Sequence, residues 1–98
     1  MTTRTSTIIF NFTAENQFSE NLLMDFDRKL DLSLRGSFVA NVSLQRSSDE
    51  GVTWQDVEIY TSPLEVQSHS LARPNLYRIG IKTGDYTSGS ASGKLERI

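Results

Sequence analysis

The sequence predicts an all-β fold: a single small β-sandwich or jelly-roll-like domain of seven to eight antiparallel strands. Three observations carry this expectation. Apolar residues recur at every second position along most of the chain, the period of a pleated strand with one buried face. Serine and threonine make up 22 of the 98 residues, while alanine is confined to Ala14, Ala40, Ala72 and Ala91, which suits strands and turns better than helices. Turn-forming residues interrupt the alternation at roughly ten-residue spacing, as in sandwiches and small barrels.

Taken in order, Ile8, Phe10 and Phe12 form the first alternating set. Leu22, Met24 and Phe26 form the second. A helix over Glu20–Lys29 competes there, because Leu22, Leu23 and Phe26 also fall at helical spacing, but Asp25, Asp27 and the missing cap favour a strand. Leu30, Leu32 and Leu34 follow, with Lys29, Asp31, Ser33 and Arg35 on the other face. After Gly36 comes the longest set, Phe38, Ala40, Val42 and Leu44, ended by the turn Ser47–Gly51. Val57 with Ile59, Leu64 with Val66, and Tyr77 with Ile79 and Ile81 complete the middle, separated by Ser62-Pro63 and Arg73-Pro74-Asn75. Ala91, Gly93 and Leu95 close the chain after a Gly/Ser/Thr-rich turn, and read as a loosely packed last strand.

Ninety-eight residues make one domain, 1–98, which buries only about 60–65% of the surface that its unfolded chain exposes. No cysteine is present to staple this thin core or to bind a metal, so part of its stability is expected from neighbours in an assembly. A net charge of −2 lacks the electrostatic footprint of a nucleic-acid binder. No apolar run approaches the roughly 20 residues of a membrane helix. Residues 2–6 are polar, and residues 1–6 read as an N-terminal arm in which Thr2, Thr3, Arg4 and Thr5 are candidate contact residues.

Catalytic constellations are poor. His69 is the only histidine and lies in the polar stretch Gln67-Ser68-His69-Ser70, where a surface role is expected rather than that of a triad base held by a third group, and a lone histidine makes no histidine metal cluster. The carboxylate pairs Asp25/Asp27 and Asp49/Glu50 are of the kind that small β-proteins carry on solvent faces, and no phosphate-cradling glycine pattern occurs. The expectation is a non-enzymatic protein with no metal and no cofactor. Trp54, Tyr60, Tyr77 and Tyr86 are candidates for a sugar-stacking platform, with core or hairpin roles as the competing expectation.

One motif is specific. Ser47-Ser48-Asp49-Glu50-Gly51-Val52-Thr53-Trp54 matches Ser-x-Asp-x-Gly-x-Thr-Trp, the Asp box of sialidases and other β-propellers. Propellers repeat it blade by blade, and this chain has one copy and too few residues for a propeller. The box therefore predicts a structural hairpin between Phe38–Arg46 and Thr53–Tyr60. Asp49 accepts hydrogen bonds from its own turn, Gly51 takes a positive φ, Ser47 and Thr53 bond within the turn, and Trp54 covers its base.

A wider resemblance follows from the run Phe38-Val39-Ala40-Asn41-Val42-Ser43-Leu44-Gln45-Arg46-Ser47 into the box, and from Leu76-Tyr77-Arg78 and Tyr86-Thr87-Ser88-Gly89 downstream. Together these resemble a group of short tailed-bacteriophage virion structural proteins, over roughly Lys29–Leu95. Glu50 stands where such proteins often carry glycine. The resemblance implies a structural protein of the virion, assembled in the host bacterial cytoplasm. It points to a capsid decoration or cement protein on the outer capsid surface, binding the major capsid protein or other virion proteins as a homo-oligomer. A head–tail connector or tail accessory protein is the alternative within this class, and a carbohydrate-binding β-sandwich module the alternative outside it.

Overall fold

The computed structural model describes residues 7–24, 29–69 and 75–97, without the side chains of 67–69. The arm residues Thr2, Thr3, Arg4 and Thr5, the pair Asp25/Asp27, Phe26 and Arg28 lie outside the described residues, as does the side chain of His69.

Eleven strands and no helix occur among the described residues: β1 (Thr7–Phe12), β2 (Gln17–Phe18), β3 (Leu22–Met24), β4 (Lys29–Arg35), β5 (Phe38–Ala40), β6 (Val42–Ser47), β7 (Gln55–Tyr60), β8 (Leu64–His69), β9 (Asn75–Ile81), β10 (Tyr86–Gly89) and β11 (Ala91–Arg97). One sheet has the order β1-β11-β4-β8. The other runs β2-β9-β6-β7, with β3 also on β9, and β5 and β10 form a two-stranded ribbon. Every pairing is antiparallel.

The excess over eight strands has a physical origin. β2 and β3 occupy one strand position along β9, interrupted where the register advances by one residue. There the Ser19 amide donates to the Ile79 carbonyl at 2.7 Å, and the Ser19 hydroxyl accepts from the Ile79 amide at 3.0 Å. β5–β6 and β10–β11 are single courses that bend from one sheet to the other. Counted by position, the described residues fill two four-stranded sheets in the order first-eighth-third-sixth and second-seventh-fourth-fifth. That order is the jelly roll.

The bend is built as a pair. The course β4-β5-β6 stays antiparallel to β9-β10-β11 from one sheet through the ribbon to the other. Ser90 N to Ser37 O (2.9 Å) and Asn41 N to Asp85 O (2.8 Å) close the ribbon at its two ends. Both sheets contribute to one core: Ile8, Phe10 and Phe12 from β1, Leu30, Leu32 and Leu34 from β4, and Tyr77, Ile79 and Ile81 from β9 are among its members. The alternation that predicted these strands is the alternation that buries them.

Three expectations need correction. The last strand is not loosely packed: β11 runs between β1 and β4, with Ala91 and Leu95 fully buried. Val57 and Ile59 do not face the core and are 45% and 48% exposed. Val57 is the extra residue of a bulge opposite Leu44/Gln45, and Ile59 pairs with Ser43 on the outer face. Finally, the hairpin joins β6 to β7 only, because β5 has already left for the ribbon.

Candidate functional site

The Ser47–Thr53 turn is closed by its own side chains. β6 ends at Ser47 and β7 begins at Gln55, and the residues between are held by side chains of the turn itself. The Ser47 hydroxyl donates to Asp49 Oδ1 at 2.7 Å and accepts from the Gly51 amide at 2.8 Å. Asp49 also accepts from the Thr53 amide (2.9 Å) and the Thr53 hydroxyl (2.5 Å). Gly51 sits at φ 90°, as expected, and Glu50 before it is also left-handed at φ 62°. This is why glycine suits the position of Glu50. Glu50→Gly is expected to raise stability by about 0.5–1 kcal/mol, since the left-handed penalty is larger than the added chain entropy. Chemical denaturation with an unchanged m-value checks it.

The donors converging on Asp49, from the Thr53 hydroxyl first and the Ser47 hydroxyl next, lower its pKa from 3.8 to about 2. The unfolded chain therefore takes up this proton more readily than the fold. The contribution of Asp49 is complete above about pH 4 and disappears as the pH falls through 2. Asp49→Asn is expected to melt several degrees below the parent at pH 7, and the gap is expected to narrow between pH 4 and pH 2.

Beside the turn, the outer face of the β2-β9-β6-β7 sheet carries a feature that the motif does not announce. Gln45 of β6 lies opposite Arg78 of β9 and Asp56 of β7. The Arg78 guanidinium lies between two rings, its central carbon 4.1 Å from the Phe18 centroid and 4.3 Å from that of Trp54. Its Nε donates to Gln45 Oε1 at 2.8 Å, Gln45 Nε2 donates to Asp56 Oδ1 at 3.0 Å, and Lys82 Nζ reaches Asp56 Oδ2 at 2.6 Å. Desolvation between the rings lowers the pKa of Arg78, while hydrogen bonding to Lys82 lowers that of Asp56 and raises that of Lys82. Phe18 can lie across the sheet because Gly80 beneath it has no side chain to displace the ring.

The structure brings Ser47, Asp49, Gly51 and Thr53 together as the sequence predicts. Trp54 lies against the turn, where a Cβ at Gly51 would be 3.7 Å from its ring, and the same ring stacks on Arg78. No pattern in the sequence marks Phe18 or Asp56, and only the resemblance marks Gln45 and Arg78. The one local signal for Arg78 is its outward phase in β9, between the core residues Tyr77 and Ile79.

The four aromatics do not make a platform. Tyr77 is buried in the core, Tyr60 and Tyr86 pack against it, and only Trp54 stands on the outer face. The Tyr86 hydroxyl is used within the chain, donating to the Gly89 carbonyl at 2.9 Å. Among the described residues, no group of three or more His, Cys, Asp or Glu is placed to hold a metal ion. Compared with protein-family models, curated proteins and solved structures, the chain matches none.

Proposed function

We propose that this chain is a non-enzymatic structural protein of a tailed-phage virion, and specifically a capsid decoration protein that binds the outer capsid surface. One observation carries the reading. The separated segments that resemble phage virion proteins form one bonded unit in the fold. β6 pairs with β9 so that Gln45, Arg46 and Ser47 lie opposite Arg78, Tyr77 and Leu76, and Trp54 of the box stacks on that same Arg78. Tyr86-Thr87-Ser88-Gly89 forms the strand that turns the corner between sheets. A pattern whose pieces depend on one another in space supports a shared fold better than the same pieces scattered over the surface. The step from fold to decoration rests on the resemblance and on the jelly roll's use in viral capsids. A capsid offers many identical sites, so weak contacts suffice when many copies attach.

Quantitative mass spectrometry of purified particles tests this. Hundreds of copies per particle is the expected result. A dozen or fewer would instead fit the connector or tail, and absence from particles would overturn the virion reading altogether. The arm residues Thr2, Thr3, Arg4 and Thr5 are proposed to contact the capsid. Deleting residues 1–6 is expected to abolish co-sedimentation with particles while leaving the melting transition in place, and unchanged co-sedimentation would remove the arm from the proposal.

A further inference from the structure

Each sheet of an open sandwich has two edges, and an unpaired edge is a template for another strand. Among the described residues, three of the four edges of the two larger sheets carry features that discourage such pairing. β7 has the Val57 bulge and the acidic residues Asp56 and Glu58. β8 follows Pro63 and carries Glu65, and the β2/β3 edge is broken at Ser19. β1 has none of these. Its sequence Thr-Ile-Ile-Phe-Asn-Phe contains no charge and no proline, its pairing with β11 is unbroken, and among the described residues it pairs with β11 alone. At the middle of its outer face stands Ile9, 83% exposed, the most exposed large apolar side chain among the described residues.

We infer that the β1 edge is the self-association surface of this protein, and that its occupant is β1 of a second copy, paired antiparallel about a two-fold axis through Ile9. Residues directly opposite in an antiparallel pair must point to the same face, so a two-fold pairing has to be centred on a residue. Centred on Ile9, the register sets Ile9 against Ile9 on the outer face, Ile8 against Phe10 on the core face, and Thr7 against Asn11. Each pair matches in character, and the two β1-β11-β4-β8 sheets join into one. Centring on Phe10 would set Ile9 against Asn11 and leave Ile9 without an apolar partner.

Charge selects the same occupant. β1 brings no charged group to its copy, and Lys94, next to Ile9 on β11, lies 3.6 Å from Glu96. β7 paired with itself would instead set Asp56 against Glu58 or Glu58 against Glu58, at a cost from like charges. The interface concerns the isolated chain and does not depend on the virion reading.

Sedimentation equilibrium of the purified protein tests it. The parent is expected to show a reversible monomer–dimer equilibrium. Ile9→Lys and Ile9→Glu, both at an exposed position, are each expected to weaken it by about tenfold or more without lowering the melting temperature of the monomer. Because the axis passes through Ile9, mixing the two variants is expected to restore a dimer by setting lysine against glutamate. Ile59→Lys on the exposed face of β7 is expected to leave the parent equilibrium unchanged. A parent that stays monomeric at millimolar concentration, a dimer that survives Ile9→Lys, open-ended aggregation, or a mixture no tighter than its components would each overturn the assignment.

Discussion

Gly89→Ala is expected to lower stability by about 2–5 kcal/mol, a large part of the 5–15 kcal/mol typical of a domain. Gly89 ends β10 at φ 86°, and a Cβ there would collide with the Ser37 carbonyl and come within 2.7 Å of the Phe38 Cα. Both neighbours are backbone, and the Ser90 N to Ser37 O bond holds them at the corner where the paired courses leave one sheet for the other. The strain can be relieved only by opening the ribbon, which would also expose Phe38, Ala40 and Tyr86 where they pack on the core. Gly84→Ala is the control. Gly84 has nearly the same φ, 89°, but nothing within 4 Å of its Cβ position, so only the left-handed penalty of about 1–2 kcal/mol applies. Thermal unfolding of the two variants separates the contributions, and equal losses would show that the corner absorbs the collision.

The corner also shows why parts of the fold were legible in the sequence and parts were not. β1, β4 and β9 could be read because each buries one face and its apolar residues keep strict phase, as Leu30, Leu32 and Leu34 do. β7 keeps an apparent phase with Val57 and Ile59, but the bulge at Val57 breaks it and leaves both exposed. β10 has no apolar alternation at all, since Tyr86-Thr87-Ser88-Gly89 is defined by pairing with β5. The small residues of β11 suggested loose packing. In the fold they permit close approach instead: a side chain at Gly93 would strike the backbone of Ser33 on β4. Small side chains thus mark the middle of a sheet here, and composition alone cannot distinguish this from a loop.

The candidate site divides in the same way. The side-chain bonds of the turn all lie between Ser47 and Thr53, so spacing alone specifies them. Phe18, Trp54 and Arg78 come from distant parts of the chain, and only the jelly-roll order, which places β2 and β6 on either side of β9, brings them together.

That stack sets the second large expectation. Arg78→Ala removes two cation–π contacts, each about 0.5–2 kcal/mol, and deprives the buried Gln45 of the donor to its Oε1, at about 1–3 kcal/mol. The combined loss expected is about 2–4 kcal/mol, allowing for non-additivity among neighbours. Arg78→Lys is expected to recover less than half of it. A flat guanidinium can lie between two rings while its Nε donates in plane to Gln45, whereas an ammonium has no plane to stack. The nearby Lys82–Asp56 pair offers an internal contrast, because its side chains are 38% and 32% exposed and solvent screens a surface pair of this kind. A double-mutant cycle with Trp54→Ala and Arg78→Ala isolates one arm of the stack, with an expected coupling of about 0.5–2 kcal/mol. Zero coupling, or an Arg78→Lys variant as stable as the parent, would mean that the rings and the guanidinium are neighbours without holding one another. In that case the outer face of this sheet would be kept in order by the Ser47–Thr53 turn and the Gln45–Asp56–Lys82 hydrogen bonds.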